Sequence, residues 1–301
     1  MDNLDIAPKP DVLDMKEVQD IIKPLQGHDR LTRRLMKFFA LDKVNWLHSR
    51  NYRNGGGDAG AISEGMLRDL NVRLEIRGRD VLDNLPEGPF ITVSNHPFGA
   101  MEGIMLLNLI ATRRPKFKVM VNMILKHISG FGANFIAVDA LASDDPKKKA
   151  VSMRGIKEAF AQIRSGEPLG FFPAGAVSKI NGRLRSENRQ CGRRDKTTGG
   201  LRTEARQWQP NVMRIIAQCK VPVIPIYFHG HNSVWFNILG LISWKLRTLR
   251  LPAEVFRVHD TVRRITVGRP ISVEEQQKHQ QSPEEFGRWL KQQTYSLRKW
   301  N

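Results

Sequence analysis

His96 and Glu102 are the residues of this sequence most readily turned to chemistry. The imidazole ends a short apolar run, Phe-Ile-Thr-Val-Ser-Asn-His, and the carboxylate follows after Pro-Phe-Gly-Ala-Met. An imidazole held at one nitrogen by a carboxylate presents the other as a base near neutral pH. Pro97 and Gly99 favour a compact reversal. Glu102 falls where a helix over 102–112 begins, so the chain can fold the acid back onto the ring. A plainer reading of the same pair is a capping histidine and a solvated first-turn acid. Spacing alone leaves both open.

The elements that must position this pair are legible from periodicity. Strands are read at "VRLEIRG", "PFITVSN", "KFKVMVN", "ANFIAVD", "EPLGFFPAG", "VPVIPIYF" and "RRITVGRPI". Helices are read between them, in "AISEGMLRDL", in 102–112, in "DPKKKAVSMRGIKEAFAQIRSG", in "QPNVMRIIAQCK" and in the closing "SPEEFGRWLKQQTYSLRKW". Strands alternating with helices predict an α/β fold with a mostly parallel central sheet flanked by helices. In such sheets reactive groups collect where strands end and helices begin. Residues 1–70 read as an N-terminal helical, membrane-interfacial segment and 71–301 as the domain that carries the pair. In "DRLTRRLMKFFALDKVNWLHSR", 29–50, Leu31, Leu35, Phe38, Phe39 and Leu41 fall on one helical face, with Arg30, Arg33, Arg34 and Lys37 around much of the rest.

Three further blocks follow the histidine in order. They are "GANFIAVD" at 132–139, "GFFPAGAVS" at 170–178 and "VPVIPIYFHG" at 221–230. With "SNHPFGAME" they resemble the four sequence blocks of the glycerol-phosphate and lysophospholipid acyltransferase family. The resemblance is strongest to its bacterial branch of hemolysin-like and ornithine-lipid-type O-acyltransferases. It implies a glycerol-phosphate acyltransferase-like fold, with His96 as catalytic base and Glu102 as its orienting acid. The family's usual first block is H-x4-D; here five residues intervene and the acid is Glu. The third block, commonly Phe-Pro-Glu-Gly-Thr-Arg-Ser, reads Phe172, Pro173, Ala174, Gly175, Ala176, Val177, Ser178, and the second ends in Val138 and Asp139 instead of Arg. The cations that hold a phosphorylated acceptor in the family are thus absent from their usual places. An Arg–phosphate contact is charge-assisted and no apolar residue replaces it. A lyso amino-acid lipid fits this pattern better than glycerol 3-phosphate. Arg183 or Arg185 can bring charge from a shifted position, which keeps lysophosphatidic acid open.

What the resemblance implies is an O-acyltransferase. His96 takes the proton of a lysolipid hydroxyl, the oxygen attacks an acyl thioester, and thiolate leaves with no covalent acyl-enzyme. Asn95, Phe98, Gly99, Phe172, Pro173, Ala174, Gly175, Ser178, Arg183 and Arg185 are the candidate substrate-binding residues. Gly175 admits a close backbone approach or is a plain turn glycine, and Asn95 fixes the His loop or serves as a turn residue. The co-substrate is acyl carrier protein or CoA thioester, the carrier being preferred; no bound cofactor and no metal are expected. A non-catalytic lipid-binding relative is the alternative within the same fold.

Composition frames the partners. The chain has 301 residues, 41% of them hydrophobic, with a formal net charge of +18. That excess points to an acidic partner: an anionic membrane surface, an acidic carrier or nucleic acid. No zinc-finger spacing, heptad-linked basic region or RNA-recognition signature accompanies it, which argues against nucleic acid. Aromatics beside cations in "SVWFNILGLISWKLRTLRLP", 233–252, fit a lipid interface or a buried helix. The basic stretch 179–206 reads as a mobile loop that receives a carrier, CoA phosphates or headgroups, or as a solvated charged loop. The acidic first twenty residues are no secretory signal, and no apolar run nears the ~18 residues of a spanning helix. The expected location is peripheral, on the cytoplasmic face of the inner membrane. Cys191 and Cys219 read as ordinary thiols, and His229 with His231 as a loop after a strand.

Overall fold

The structure is a computed structural model describing residues 11–123, 125, 128, 130–139, 146–175, 179–180, 203–204, 207–233, 236 and 244–300. Its strands are β1 (Arg73–Arg77), β2 (Ile91–Ser94), β3 (Lys118–Asn122), β4 (Phe135–Val138), β5 (Leu169–Phe171), β6 (Lys179–Ile180), β7 (Thr203–Glu204), β8 (Val223–Phe228) and β9 (Val262–Val267). The helices are α1 (Met15–Ile21), α2 (Asp29–Phe38), α3 (Leu41–Gly55), α4 (Ala59–Asp69), α5 (Arg79–Asp83), α6 (Met101–Ala111), α7 (Pro146–Arg164), α8 (Pro210–Cys219), α9 (Trp244–Phe256), α10 (Val273–Gln277) and α11 (Pro283–Ser296).

Seven strands form one sheet in the order β1-β9-β8-β2-β5-β3-β4. Every neighbouring pair is parallel except β8 with β9. This is the mostly parallel α/β sheet that the alternating pattern predicts. β6 and β7 pair separately as a two-residue antiparallel ladder.

Both faces of the sheet are covered, which is why β2 and β8 are buried at every position and read as unbroken apolar runs. On one face α3, α4, α5, α6 and α9 share a core that holds Leu47, Ile62, Phe90, Leu106, Phe228 and Ile265. On the other, α7, α8 and α11 bury Ala159, Ile163, Met213, Ile216, Phe286 and Leu290 against Ile91, Val93 and Phe171. Each such large side chain contributes roughly 1.5–3 kcal/mol on leaving water.

Helix ends follow local chemistry. Asp58 accepts the Ala61 N–H and caps α4. Ser272 and Ser282 cap α10 and α11 in the same way. The single helical face read across 29–50 is corrected by the structure. Ala40 adopts a left-handed conformation, φ 56°, and splits the segment into α2 and α3. Phe39 and Leu41 turn into a small core with Val18 and Leu25, while Leu31 and Phe38 stay exposed.

Candidate active site

The carboxyl ends of three adjacent strands build the site. β2 lies between β8 and β5, with Ser94 opposite Ile226 and Val93 opposite Phe171. As β2 ends, Asn95 continues its pairing through a side chain. The Asn95 amide donates to the Phe228 carbonyl at 2.9 Å and accepts the Phe228 N–H at 2.7 Å. One amide thus stands in for a further step of backbone ladder and frees the chain to turn at His96.

The turn then closes on the acid. Glu102 enters in the first turn of α6 and is fully buried. Its Oε1 accepts the N–H of Phe98 at 2.9 Å and of Gly99 at 2.8 Å, and lies 2.7 Å from His96 Nδ1. One carboxylate oxygen therefore organises the whole loop. Gly99 has φ +90°, a conformation that a side chain would strain, and it turns its N–H toward the acid. The longer spacing is accommodated by this turn: the five intervening residues lead straight into α6 with the acid at its amino end, where the helix dipole favours negative charge. A solvated first-turn acid does not describe Glu102.

With Nδ1 facing the carboxylate, Nδ1 is assigned the proton and Nε2, across the ring, the basic lone pair. The imidazole is packed at 4.7 Å, ring centroid to centroid, by Phe172, which follows β5. His96 keeps 17% of its side chain exposed, so the pair is sheltered yet reachable. A basic nitrogen beside a water-poor aromatic wall, with a buried anion behind it, is arranged to take a proton and hold the resulting imidazolium.

Other residues read from the sequence take supporting places. The Pro173 carbonyl accepts the Gln209 N–H, and Gly175 donates to the Phe172 carbonyl. Gly175 sits at φ +64° against the Gln209 side chain, where a Cβ would collide with the amide. Ala174 is part-buried beside them. The Asn95 amide is spent on Phe228 instead of being offered to a ligand, and Phe98 is buried. Ser178, Arg183, Arg185 and Cys191 lie outside the described residues, as does most of 179–206 and of 234–243. Cys219 is half-buried and its thiol is pushed up to about 11, which keeps it protonated and unreactive. Among the described residues no group of three or more His, Cys, Asp and Glu is placed to hold a metal. A recess of about 360 Å³ lined by Lys116, Lys118, Asn134 and Gln162 opens near the amino ends of β3 and β4, the far end of the sheet from His96.

Sequence reasoning missed Asn232, whose amide donates to the Phe98 carbonyl at 2.7 Å and ties the loop after β8 to the turn that follows His96. The signal was a second Asn-and-His cluster, "HGHN", just past a buried strand. It also missed Arg263, whose guanidinium lies over the Phe98 ring, 5.3 Å from its centroid.

A part-exposed histidine backed by a buried acid, at the carboxyl edge of a doubly covered sheet, is an arrangement that can move a proton. The acyltransferase family model matches residues 62–300, and the chain belongs to that family. Among curated proteins it is similar to a lyso-glycine lipid O-acyltransferase of Bacteroides thetaiotaomicron, 26% identical over 274 residues, 87% of this chain and 88% of that one. It is likewise similar to the lyso-glycine lipid O-acyltransferase of Phocaeicola vulgatus, 25% identical over 245 residues, 78% of this chain and 76% of that one. Among solved structures it matches the 1-acyl-sn-glycerophosphate (LPA) acyltransferase PlsC of Thermotoga maritima, with a TM-score of 0.49, 15% identity, and coverage of 89% and 96% of the two chains.

Proposed function

We propose that this acyltransferase moves a fatty acyl group from an acyl thioester to the hydroxyl of a lysolipid, and that the acceptor is a lyso amino-acid lipid. The observation that carries the reading is the His96–Glu102 pair at 2.7 Å, with the acid buried and the ring partly open. His96 Nε2 takes the hydroxyl proton as the oxygen attacks the thioester carbonyl. The Glu102 carboxylate steadies the imidazolium, the C–S bond breaks, and the thiol leaves with the proton. The names of the two curated relatives support an amino-acid lipid as acceptor. Ala174 and Val138, which bring no charge to the β5 and β4 ends, support it too. The donor in this reading is acyl carrier protein, whose acidity complements a chain of net charge +18.

The reading places the enzyme peripherally on an anionic membrane, at the cytoplasmic face. Among the described residues no helix is long and apolar enough to cross a membrane. Leu31 and Phe38, seven residues apart on one side of α2, are 52% and 71% exposed, and Trp46 of α3 is 56% exposed. Arg30, Arg33, Arg34 and Lys37 are exposed on the same helix. Apolar side chains among cations suit the headgroup region of a bilayer.

The test is acyl transfer by purified protein with detergent or vesicles. Acyl carrier thioester and acyl-CoA are each offered with a lyso amino-acid lipid and with lysophosphatidic acid. Turnover is expected with the amino-acid lipid, and His96→Ala is expected to lower kcat about 10²–10⁴-fold. Turnover with lysophosphatidic acid alone would overturn the acceptor, and unchanged turnover in His96→Ala would overturn the mechanism.

A further inference from the structure

β9 runs antiparallel to β8, so its amino end, and not its carboxyl end, reaches the edge of the sheet where His96 stands. Phe228 pairs with Ile265. Two residues further along, Arg263 comes level with Gly230, and its guanidinium would touch a side chain placed there. That guanidinium covers the ring of Phe98. Phe98 is the residue whose N–H donates to Glu102 Oε1 and whose carbonyl is held by Asn232. Arg263 is therefore one side chain removed from the catalytic turn, on the β8 side, opposite the Phe172 wall.

One of its donors is not met. Arg263 Nε is buried and has no hydrogen-bond acceptor among the described residues, and no described carboxylate forms an ion pair with it. The two acids that precede it along the chain are committed elsewhere: Asp260 accepts the Asn71 amide at 2.7 Å and lies 2.6 Å from His259 Nδ1. Glu254 is 5% exposed, accepts both the N–H and the hydroxyl of Ser233, and is flanked at 3.6 Å by Arg250 and by Arg257. Burial and the like charge of Arg257 both pull the Arg263 pKa down. A cation half-removed from water, beside a second cation and without a counter-ion, is unfavourable until an anion arrives. Stacking on Phe98 fixes where the guanidinium lies but leaves Nε–H without an acceptor.

We infer that Arg263 binds the anionic headgroup of the acceptor, a carboxylate, while His96 addresses its hydroxyl. The inference rests on the lysolipid reading and names the group that would recognise that acceptor. An amino acid acylated on its amine carries a free carboxylate. The planar fork of a guanidinium meets such a group with paired, charge-assisted hydrogen bonds. The headgroup site then lies on the strand beyond β8, away from the β5 loop, and Asn232 and Phe98 connect it to the base.

The test measures binding apart from turnover. N-dodecanoylglycine, its methyl ester and lysophosphatidic acid are titrated calorimetrically, below their micelle concentrations, into wild type, Arg263→Met and Arg263→Lys. Methionine keeps an apolar stem against Phe98 without the charge. Lysine keeps charge and stem but not the fork, which holds the comparison open if the methionine variant folds poorly. Wild type is expected to prefer the acid over the ester by about tenfold or more. Arg263→Met is expected to lose that preference while its ester binding stays, and Arg263→Lys to keep part of it. An unchanged preference in Arg263→Met, or equal weakening of acid and ester, would overturn the inference. A preference confined to lysophosphatidic acid and abolished by Arg263→Met would overturn the carboxylate assignment in favour of phosphate. Acyl transfer is followed in parallel. Wild type that binds the acid through Arg263 yet transfers nothing to a hydroxylated amino-acid lipid would refute the proposed reaction and leave the anion site standing.

Discussion

At the scale of single residues, Glu102 concentrates three tasks on one oxygen: it takes two backbone N–H groups and faces His96 Nδ1. Its length matters as much as its charge. Glu102→Asp withdraws the carboxylate by one methylene from the point where three donors converge. We expect kcat to fall by about tenfold to a hundredfold, less than removal of the base itself, with KM for the acceptor little changed. Steady-state kinetics beside a thermal melt would check this; a normal kcat in Glu102→Asp would remove the acid from the proposed chemistry. The pair was legible because three further blocks follow it in the order of a known family; its spacing alone left a capping histidine and a solvated acid open. Asn95 was read as a holder of the His loop, as a turn residue and as a ligand contact; its bonds to Phe228 give it the first task, which a sequence does not separate from the others. Arg263 was hidden for another reason: among 48 lysines and arginines, one more cation on a strand reads as solvated surface.

At the scale of elements, the strands that carry the site were readable because they are buried on both faces and bounded by proline or glycine. The direction of β9 was not, since side-chain periodicity is the same in either sense. The break between α2 and α3 was missed because alanine carries no signal for the left-handed conformation that Ala40 adopts. That break decides which apolar residues serve the fold and which face outward. Phe38 and Leu31 are outward, so their replacement tests a surface role while the core loses only the edge-to-face contact of Phe38 with Phe39. Leu31→Ser with Phe38→Ser should weaken binding to vesicles of mixed neutral and anionic lipid by about tenfold or more, at ~25 cal/mol per Å² of apolar area withdrawn from the bilayer. The melting temperature should hold. Vesicle sedimentation that gave equal binding for the variant would move the membrane contact elsewhere.

At the scale of the whole molecule, stability and pH are coupled through a histidine that plays no part in the proposed chemistry. His229 follows β8, with Nε2 2.8 Å from the Thr266 hydroxyl and its ring edge-on to Tyr227 and Trp300. Burial first, then Arg264 and Arg298, pull its pKa from 6.5 to about 4. Between those values the unfolded chain binds a proton that the folded chain refuses. Stability therefore falls as pH drops through that window, and the loss is complete below about 4. His229→Gln keeps a polar partner for Thr266 and removes the titration. Its melting temperature should drop less than that of wild type between about pH 7 and about pH 4.5. Parallel curves for the two proteins would show that the acid sensitivity resides elsewhere.

The place of β2 in the sheet carries a last consequence. It is hydrogen-bonded to β8 on one side and β5 on the other, and covered by helices above and below. His96 is thus moored to a central rod of the molecule and not to a rim. Local breathing of the kind that opens edges and termini does not reach such a strand, and its amide protons leave only when the sheet as a whole comes apart. On the proposed mechanism, heat should then end activity and fold together, as turnover and circular dichroism followed on one temperature ramp would show; activity lost well below the melting temperature would locate the weak point in the turn after β2.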